Sequence, residues 1–577
     1  MQLPYLKKAN FFFGIIVIIF GVIIIRLAYL QIYQYKKYSS LQFSQAYLKV
    51  DLNPESGMIL DRNGEILALS RSVDSLYVIP QELNNHPAEI QKLAVTLGMD
   101  KESLSANISQ ANEQNKLFMW VKRRIDDETS KKIKDLNIKG VGLKKEYKRF
   151  YPKETSACHL VGYRGVDEQA LEGIELSANN YLKGEVGYQY LHRDARRRLF
   201  TSELPEKPAQ PGKNVYLTIN ILIQHIVEKN LKELCKKWKP LSAQALVLRP
   251  DTGEILAMAQ EPSFDINNYQ KYSAETRHNR IITEAYEPGS AFKSFVVTSA
   301  LEKNIFTRQN SFFCENGSYK IGRRTVRDHK PYGWLTLTDV VAQSSNIGMA
   351  KIGMATGKNN MYEIVKRFGF CKPSGLGIPS EHHGLMTPLN KWSDYTVTSV
   401  SMGYEISVNS LQLARAYATF ANGGYLVEPQ IIKEVSDRNG NIVKPFVVRK
   451  TGQIINPKLN NQMCAILRTV VTNGTASAVA KLSSYSFAGK TGTARKINPD
   501  GKYSTQKYKS LFVAFAPAEK PEILVLVLVD EPKGAYYAAT VAAPTAAKII
   551  DETLKYLSVS SGEATDSGRL ADVKQTR

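Results

Sequence analysis

Cysteine and histidine are scarce in this 577-residue chain, and neither is arranged as a metal site requires. The five cysteines lie far apart with no C-x-x-C pair, so they neither form a zinc ligand set nor cross-link a small scaffold. Of the eight histidines only His382 and His383 are adjacent, and that pair lacks a third ligand at metal-site spacing. The sequence therefore predicts unpaired or buried thiols and no metal site.

The chain also lacks a nucleic-acid-reading motif, although its charge is strongly positive. It has 76 Lys and Arg against 54 Asp and Glu, a formal net charge of +22, with basic clusters at 122–153 and 196–198. No helix-turn-helix, zinc finger or aromatic RNA-binding signature accompanies these clusters. The charge is therefore predicted to form a solvated basic face near a membrane or an acidic polymer, without nucleic acid as a partner.

The sequence has one long apolar run, which lies within its first forty residues, and no comparable run follows it. Residues 11–25 are uninterrupted apolar side chains, and apolar character resumes after Arg26. A helix from Phe11 to Leu30 approaches the ~20 residues that span the hydrocarbon layer, and Arg26 near its end can reach the headgroups. The sequence predicts one membrane span.

A cleaved signal peptide is the alternative to an anchor. No A-x-A-like cleavage site follows the run, which favours an uncleaved anchor. Lys7 and Lys8 precede it, which favours an inside N-terminus. We therefore expect a cytoplasmic tail at 1–9, a transmembrane anchor at 10–31 and the bulk of the chain outside the cytoplasm.

The rest of the chain is predicted to form two domains. ELPEKPAQPGK, residues 203–213, gathers three prolines and a glycine and is the best candidate linker. Strand patterns occur at both ends of the region beyond it with helical patterns between, which indicates an α+β layer whose sheet is closed by distant segments. We expect an N-terminal domain at 40–210, an α+β domain at 212–557 and a disordered tail at 558–577.

The stretch YEPGSAFKSF carries the first candidate catalytic pair, Ser290 and Lys293. Pro288 and Gly289 favour a helix start directly before the serine. On that helix the two side chains are i and i+3 neighbours, so the ammonium group can reach the hydroxyl. A serine needs a base to become a nucleophile, and a lysine serves only if burial or a second cation lowers its pKa.

Two later motifs supply further polar groups. In AQSSNIGMAKIG, Ser344 and Asn346 follow a predicted helix and offer a hydroxyl relay and an amide. In FAGKTGTARK, Lys490 lies in an apolar, β-rich setting and provides the second cation.

The residues after Lys490 form the candidate substrate-binding strand. Thr491 and Thr493 alternate with Gly492, so that hydroxyls and backbone N–H groups are available to an anionic ligand.

Each motif alone is weak. An S-x-x-K occurs by chance about three or four times in a chain of this composition, S-x-N is as common, and K-T-G-T also suits a turn between strands. Their order is what penicillin-binding proteins and class A β-lactamases share. The three together therefore indicate one serine acyl-transfer site.

The chain resembles a class B penicillin-binding protein, a membrane-anchored transpeptidase that cross-links peptidoglycan. SGMILDRNGEILALS is similar to the family's N-terminal signature, and YPKETSACHLVGYRGVDEQALEGIE to its pedestal signature. The resemblance continues through HNRIITEAYEPGSAFK, GTASAVA and AGKTGTARK. It implies a penicillin-binding/β-lactamase-like α+β transpeptidase domain with an antiparallel sheet and helices, an elongated pedestal of the dimerisation-domain type, and no metal or organic cofactor.

The resemblance assigns a role to each motif residue. Ser290 would attack the penultimate carbonyl of a D-Ala-D-Ala stem peptide, and Lys293 would be the base. Ser344 would relay protons to the leaving group, Asn346 would hydrogen-bond the substrate backbone and Lys490 would supply positive charge. A second stem peptide's amine would then take the acyl group.

On the substrate-binding strand, Thr491 and Thr493 would grip the terminal carboxylate with Gly492 between them. The backbone N–H groups of Ser290 and Thr493 would form the oxyanion hole. β-Lactams would inhibit by acylating Ser290.

The resemblance favours the division-specific, FtsI-like branch over the elongation branch. SSNIG has asparagine where elongation enzymes usually carry aspartate, and 401–429 is similar to the septal version of that segment. A membrane-embedded glycan polymerase and division proteins are the partners this branch implies. An elongation-type transpeptidase, a β-lactamase or carboxypeptidase on the same fold, and a penicillin-recognising scaffold without turnover remain alternatives.

Six positions depart from the family pattern without removing a catalytic group. In this chain Ser56 replaces the family's usual arginine, Ala170 a glycine, Asn220 an aspartate, Ala291 a threonine, Glu405 a glycine and Asn409 a threonine.

Overall fold

Residues 3–193, 199–201 and 203–560 are described by the computed structural model, which divides the chain into two units. One unit comprises Met1–Glu55 with Lys183–Gly212, and the other comprises Ser56–Leu182 with Lys213–Arg577. The basic cluster at 196–198 and the predicted tail from residue 561 onward lie outside the described residues.

The first unit begins with a long apolar helix. Leu3–Ala28 is α-helical, Tyr29–Tyr33 is π-helical, and a second helix, Tyr35–Ala46, follows. The segment Tyr5–Tyr33 is long and apolar enough to cross a membrane, and within the described residues it is the one helix of that kind. Its large apolar side chains are exposed on all sides, as expected for a membrane span and equally for a signal sequence.

The same unit contains a three-stranded antiparallel sheet formed by Tyr47–Leu52, Gly187–Arg193 and Leu199–Thr201. The proline-rich segment predicted to be a linker runs beside this sheet. Gln210 bridges Glu185, and Lys207 bridges Tyr188.

The second unit opens on a mixed seven-stranded sheet. Its first two strands, Ile59–Leu60 and Ile66–Val78, are joined by a turn that contains Asn63 and Gly64. The first of them pairs in parallel with Asn214–Leu217, so the N-terminal part of the unit is joined by backbone hydrogen bonds to the start of the second predicted domain. The remaining strands of this sheet are Met119–Ile125, Val141–Phe150, Ile432–Ser436 and Ile442–Lys444.

Helices cover one face of the N-terminal strands. Pro87–Leu97 buries Ile90 and Leu93 against Leu76 of the sheet. The other helices between residues 56 and 182 are Pro80–Leu83, Lys101–Glu113, Asp127–Leu136, Cys158–Val161, Gly173–Ser177 and Asn179–Leu182.

A buried ion network joins the pedestal signature to the strand that precedes it, Val141–Phe150. The Glu175 carboxylate accepts from Arg149 Nε at 2.6 Å and from Arg164 Nε, and all three side chains are buried. Arg149 also donates to the Gly57 carbonyl at 2.7 Å, directly after Ser56. Arg149 therefore supplies a guanidinium beside the position where the family pattern has an arginine. Removing one partner of such a network costs about 3–5 kcal/mol.

A five-stranded sheet within residues 242–530 is built from segments far apart in sequence. Its strands are β1 (Ser242–Leu248), β2 (Ile255–Glu261), β3 (Ala488–Ile497), β4 (Tyr503–Ala516) and β5 (Ile523–Asp530). They pair antiparallel in the order β2-β1-β5-β4-β3. The prediction of a sheet closed by distant segments is confirmed. β3, which carries the K-T-G motif, is an edge strand.

The helices around this sheet follow the predicted pattern. They include α1 (Ile221–Trp238), α2 (Lys293–Glu302), α3 (Leu337–Ala342), α4 (Asn346–Thr356), α5 (Ser410–Ala421) and α6 (Ala543–Tyr556). α5 is buried along its whole length, because it packs on β1, β4 and β5 while other helices cover its outer side.

Shorter elements complete the region. The remaining helical segments are Ile266–Lys271, Ala274–Arg277, Arg280–Thr283, Gly289–Phe292, Glu315–Gly317, Lys358–Arg367, Leu389–Lys391, Asp394–Ser401, Pro457–Thr472, Ser477–Leu482 and Ala538–Val541. Two-stranded pairs are Ser311–Phe313 with Trp334–Thr336, Ser318–Ile321 with Arg324–Arg327, Leu385–Met386 with Ile406–Ser407, and Tyr425–Val427 with Lys450–Gln453. The five cysteines are free thiols.

Candidate active site

Ser290 lies in a short 3₁₀ turn, Gly289–Phe292, that runs directly into α2. The Pro-Gly pair marks the helix start as predicted, although the first turn is 3₁₀ rather than α. The Ser290 side chain is partly exposed, and within the described residues its hydroxyl makes no hydrogen bond. The hydroxyl is therefore free to meet a ligand.

Close backbone contacts fix this turn in place. The Gly289 N–H donates to the Gly403 carbonyl at 3.1 Å, and a Cβ on Gly403 would lie only 2.0 Å from the Gly289 oxygen. On β3, a Cβ on Gly492 would lie 2.8 Å from the Pro288 oxygen and 3.3 Å from the Ala291 methyl. The fully buried Ala291 thus faces β3 at Gly492, where its small side chain lets the strand lie against the turn.

Lys293 is the first residue of α2 and is fully buried. Its Nζ donates to the Ser344 carbonyl at 2.7 Å, to Asn346 Oδ1 at 2.8 Å and to Ser344 Oγ at 3.3 Å. These bonds bring the S-x-x-K and S-x-N motifs together.

Lys490 approaches the same hydroxyl from β3. This side chain is also fully buried, and its Nζ donates to Ser344 Oγ at 3.0 Å and to the Thr491 carbonyl at 3.2 Å. Ser344 Oγ therefore lies between two lysine nitrogens contributed by segments about two hundred residues apart in the printed sequence.

Both lysines have strongly lowered pKa values. Burial lowers the pKa of Lys293 to about 7, against the opposing charge of Asp328. Burial, and then the charge of Lys293, hold the pKa of Lys490 well below its usual range. Two close buried cations disfavour each other, so their titrations are coupled and the pair retains one proton more readily than two.

The backbone of Ser344 is in the left-handed region, with φ of +59°. Such a conformation costs about 1–3 kcal/mol in a non-glycine residue and persists where the surroundings impose it. Here Ser344 lies in the tight connection between α3 and α4, where its N–H donates to the Val341 carbonyl at 3.2 Å. The strained turn directs the hydroxyl between the two lysines.

Sequence reasoning missed Asp328 and Ser345. Asp328 Oδ1 accepts from the backbone N–H groups of Asn346 and Ile347, and Oδ2 accepts from Ser345 Oγ at 2.6 Å. Ser345 Oγ also caps α4 by accepting from the Gly348 N–H at 2.9 Å. Asp328 thus fixes the start of α4 and places a negative charge near Lys293. No local pattern marks a cap that comes from another segment.

The K-T-G strand places its threonines beside two other segments. Thr491 Oγ1 lies 2.9 Å from Thr475 Oγ1, within the GTASAVA stretch, and Thr493 Oγ1 accepts from the Ala538 N–H at 3.2 Å. Because β3 is an edge strand, one row of its backbone groups is not paired by the sheet. All eight predicted site residues therefore lie on the 3₁₀ turn with α2, the α3–α4 connection and β3.

Comparison with known families decides the class of this site. The penicillin binding protein transpeptidase domain matches residues 243–551, and the penicillin-binding protein dimerisation domain matches 51–217. The chain belongs to the penicillin-binding protein transpeptidase family. The resemblance found in the motifs is confirmed, as is the expected fold.

Similar proteins cover nearly the whole chain. A probable peptidoglycan D,D-transpeptidase PbpC of Pseudomonas aeruginosa is 34% identical, over 95% of this chain and 94% of its own length. The peptidoglycan D,D-transpeptidase FtsI of Escherichia coli is 32% identical, over 88% of this chain and 85% of its own. The crystal structure of a peptidoglycan synthetase from Bifidobacterium adolescentis superimposes with a TM-score of 0.72 at 25% identity, covering 89% of this chain and 97% of that one.

The structure gives physical reasons for several departures from the family pattern. Asn220 and Asn409 cap α1 and α5, and their side chains accept from backbone N–H groups as aspartate or threonine would. Glu405 has φ of +59°, a conformation that glycine adopts without strain. Ala170 forms an antiparallel bridge with Arg164. Nothing in the structure explains the loss of glycine there.

The rate of acylation by penicillin should fall as the pH drops through about 7. A base must be neutral to accept a proton, and Lys293, with a pKa of about 7, becomes protonated below that value. This fall is the acidic limb of the profile of acylation rate against pH. Because the Asp328 carboxylate raises the Lys293 pKa, Asp328→Asn should move the acidic limb to lower pH. Stopped-flow acylation measured between about pH 5 and 9 checks both statements.

Asp251→Asn, in an exposed turn, is the matched control and should leave the limb in place. A flat profile would count against Lys293 as the base, whereas an unmoved limb in Asp328→Asn would count against the influence of Asp328.

Proposed function

We propose that this protein is a serine D,D-transpeptidase that cross-links peptidoglycan stem peptides through a Ser290 acyl-enzyme. The observation that carries the proposal is the arrangement of Lys293 and Lys490, whose ammonium nitrogens both lie within hydrogen-bond distance of Ser344 Oγ in a buried site. A nearby lysine with a lowered pKa is what a serine nucleophile needs for activation at neutral pH.

The chemical steps follow from this arrangement. Neutral Lys293 takes the Ser290 proton as Oγ forms a bond with the penultimate D-alanine carbonyl carbon. The bond to the terminal D-alanine nitrogen then breaks, and the departing amine takes a proton from Ser344, which regains one from protonated Lys293, so that Lys293 is neutral again. In the second half-reaction the amine of another stem peptide attacks the ester carbonyl, loses a proton to the same base and releases Ser290 as its hydroxyl.

Whether Lys293 or Lys490 carries the proton that the pair retains depends on the bound ligand. In the empty site Asp328 favours the charge on Lys293, since the aspartate raises the pKa of that lysine. A substrate carboxylate held beside Thr491 and Thr493 would bring a negative charge near Lys490. That charge favours a protonated Lys490, which in turn favours a neutral Lys293. Binding of the substrate would therefore prepare the base.

The remaining site residues hold the substrate in this proposal. Asn346, whose Oδ1 accepts from Lys293 and whose Nδ2 donates to the Arg327 carbonyl at 3.0 Å, would bind the substrate backbone. Thr491 and Thr493, with Gly492 between them, would bind the terminal carboxylate. The N–H groups of Ser290 and Thr493 would stabilise the oxyanion.

Purified protein should react with about one equivalent of penicillin and then stall. The acyl-enzyme of a transpeptidase persists until an amine acceptor arrives, whereas a β-lactamase directs water at the ester. Intact-protein mass spectrometry alongside penicillin absorbance separates the two. Steady hydrolysis over many turnovers would support the β-lactamase alternative, and no adduct at all would support a scaffold.

We place this activity in septal wall synthesis. The relatives include a protein named FtsI, and Asn346 and the 401–429 segment favour the same branch. The elongation-type enzyme is the second candidate.

The helix Tyr5–Tyr33 serves in this proposal as an uncleaved single-pass anchor that leaves the catalytic domain outside the inner membrane. A membrane-embedded glycan polymerase and division proteins would then be the partners.

A further inference from the structure

A strongly basic hairpin lies beside the S-x-N motif. Strands Ser318–Ile321 and Arg324–Arg327 are joined by a two-residue turn, and we call residues 318–330 the cationic hairpin. The basic side chains exposed on it are Lys320, Arg323, Arg327 and Lys330.

One face of the hairpin packs inward. Tyr319 and Val326 lie opposite each other, as do Ile321 and Arg324. Val326 is buried, Tyr319 and Ile321 pack on the core, and Arg324 Nη1 donates to Ser399 Oγ at 2.6 Å. Since successive residues of a strand face opposite sides, Lys320 and Arg327 point outward.

The tip of the hairpin is fixed to the domain. The Arg323 N–H donates to the Tyr395 hydroxyl at 3.2 Å, and Gly322, with φ of +56°, would place a Cβ only 2.5 Å from that oxygen. The hairpin therefore presents its cations from a defined position.

The hairpin leads directly into the catalytic centre. The Arg327 carbonyl accepts from Asn346 Nδ2, and Asp328 caps α4. The next residue, His329, has its pKa lowered by burial and by the charges of Lys330, Lys293 and Lys490, against the effect of Asp328. The two catalytic lysines are therefore electrostatic neighbours of this segment.

The outward cations have no acidic partners in the part of the chain that the structure describes. Within the described residues, Lys320, Arg323, Arg327 and Lys330 form no ion pair. The acidic residue of the segment, Asp328, faces inward to the start of α4. Four uncompensated positive charges beside a catalytic centre attract an anionic ligand.

We propose that the cationic hairpin is a subsite for carboxylate groups of a stem peptide upstream of the scissile D-Ala-D-Ala bond. The inference rests on the proposed transpeptidase function, because that function makes an acidic peptide the ligand. The hairpin would act through long-range attraction, in addition to the grip of the K-T-G strand on the terminal carboxylate.

Neutralising two of the cations tests this subsite. Lys320→Gln/Arg323→Gln should lower kcat/KM for a synthetic D-Ala-D-Ala peptide with free upstream carboxylates by about fivefold to tenfold at low ionic strength. The same peptide with those carboxylates amidated should react equally well with both proteins. The difference should shrink in high salt, because exposed charges are screened.

The matched control is Lys232→Gln/Lys236→Gln, which removes two exposed cations from α1. The peptide is presented first as donor and then as acceptor with a thioester donor. A carboxylate-dependent loss in the donor arm supports the subsite, whereas a loss confined to the acceptor arm would overturn its placement upstream of the scissile bond. Equal losses for free and amidated peptides, or no loss in either arm, would overturn it.

Labelling with a fluorescent penicillin, which lacks the upstream segment, should be the same in the wild type and in both variants. Failure of the wild type to be labelled would count against the proposed function, whereas normal labelling without a carboxylate effect would count against the subsite alone.

Discussion

Replacing Ser290 by alanine should abolish covalent labelling by a fluorescent penicillin. Ser290 supplies the oxygen that becomes the ester, so no adduct forms without it. The variant should remain folded, because the Ser290 hydroxyl makes no hydrogen bond within the described residues. Gel fluorescence of purified protein, with a melting curve beside it, checks both expectations.

A suitable control is Ser318→Ala, which removes another exposed hydroxyl near the site and should leave labelling unchanged. Label retained in Ser290→Ala would mean that a different residue is the nucleophile.

Replacing Lys293 by methionine should slow acylation by about 10²–10⁴-fold, the usual contribution of a positioned base. Methionine fills a similar volume without a charge. It leaves the Ser344 carbonyl and Asn346 Oδ1 without their donor, and each such loss costs about 1–3 kcal/mol of stability. Stopped-flow acylation measures the rate, and thermal unfolding measures the cost.

The matched control is Lys303→Met, which replaces an exposed lysine just beyond the end of α2. This variant should be acylated at the wild-type rate. A loss of less than tenfold in Lys293→Met, with the fold intact, would assign the role of base to another group.

Much of the site could be predicted from short patterns, because each motif lies on the element that local sequence favours. Pro288 and Gly289 predict the helix start that brings Ser290 and Lys293 onto neighbouring turns. The apolar residues around Lys490 predict a buried strand. Helix α1 likewise follows local signals, because Asn220 caps its start and its apolar residues recur at helical spacing.

The parts that could not be predicted depend on contacts between distant segments. Asp328 caps a helix that begins eighteen residues later, and Gly403 meets the backbone of Gly289 from a separate loop. Side chains or carbonyls from different elements satisfy these groups, so no local spacing reveals them. The joint placement of Lys293 and Lys490 on Ser344 likewise follows from tertiary packing alone.

Among the departures from the family pattern, Ala291 illustrates the same limit. Local spacing does not reveal which distant segment this side chain contacts. The structure supplies the answer, Gly492 on β3, and with it a reason for a small residue at that position.

The proposed reaction requires Ser290 to form a stable acyl-enzyme. Peptide mapping by mass spectrometry after reaction with penicillin tests it most directly. We expect a single adduct on the peptide that contains YEPGSAFK, carried by Ser290 and persisting after free penicillin is removed. An adduct on any other residue, or no adduct while penicillin is consumed, would contradict it.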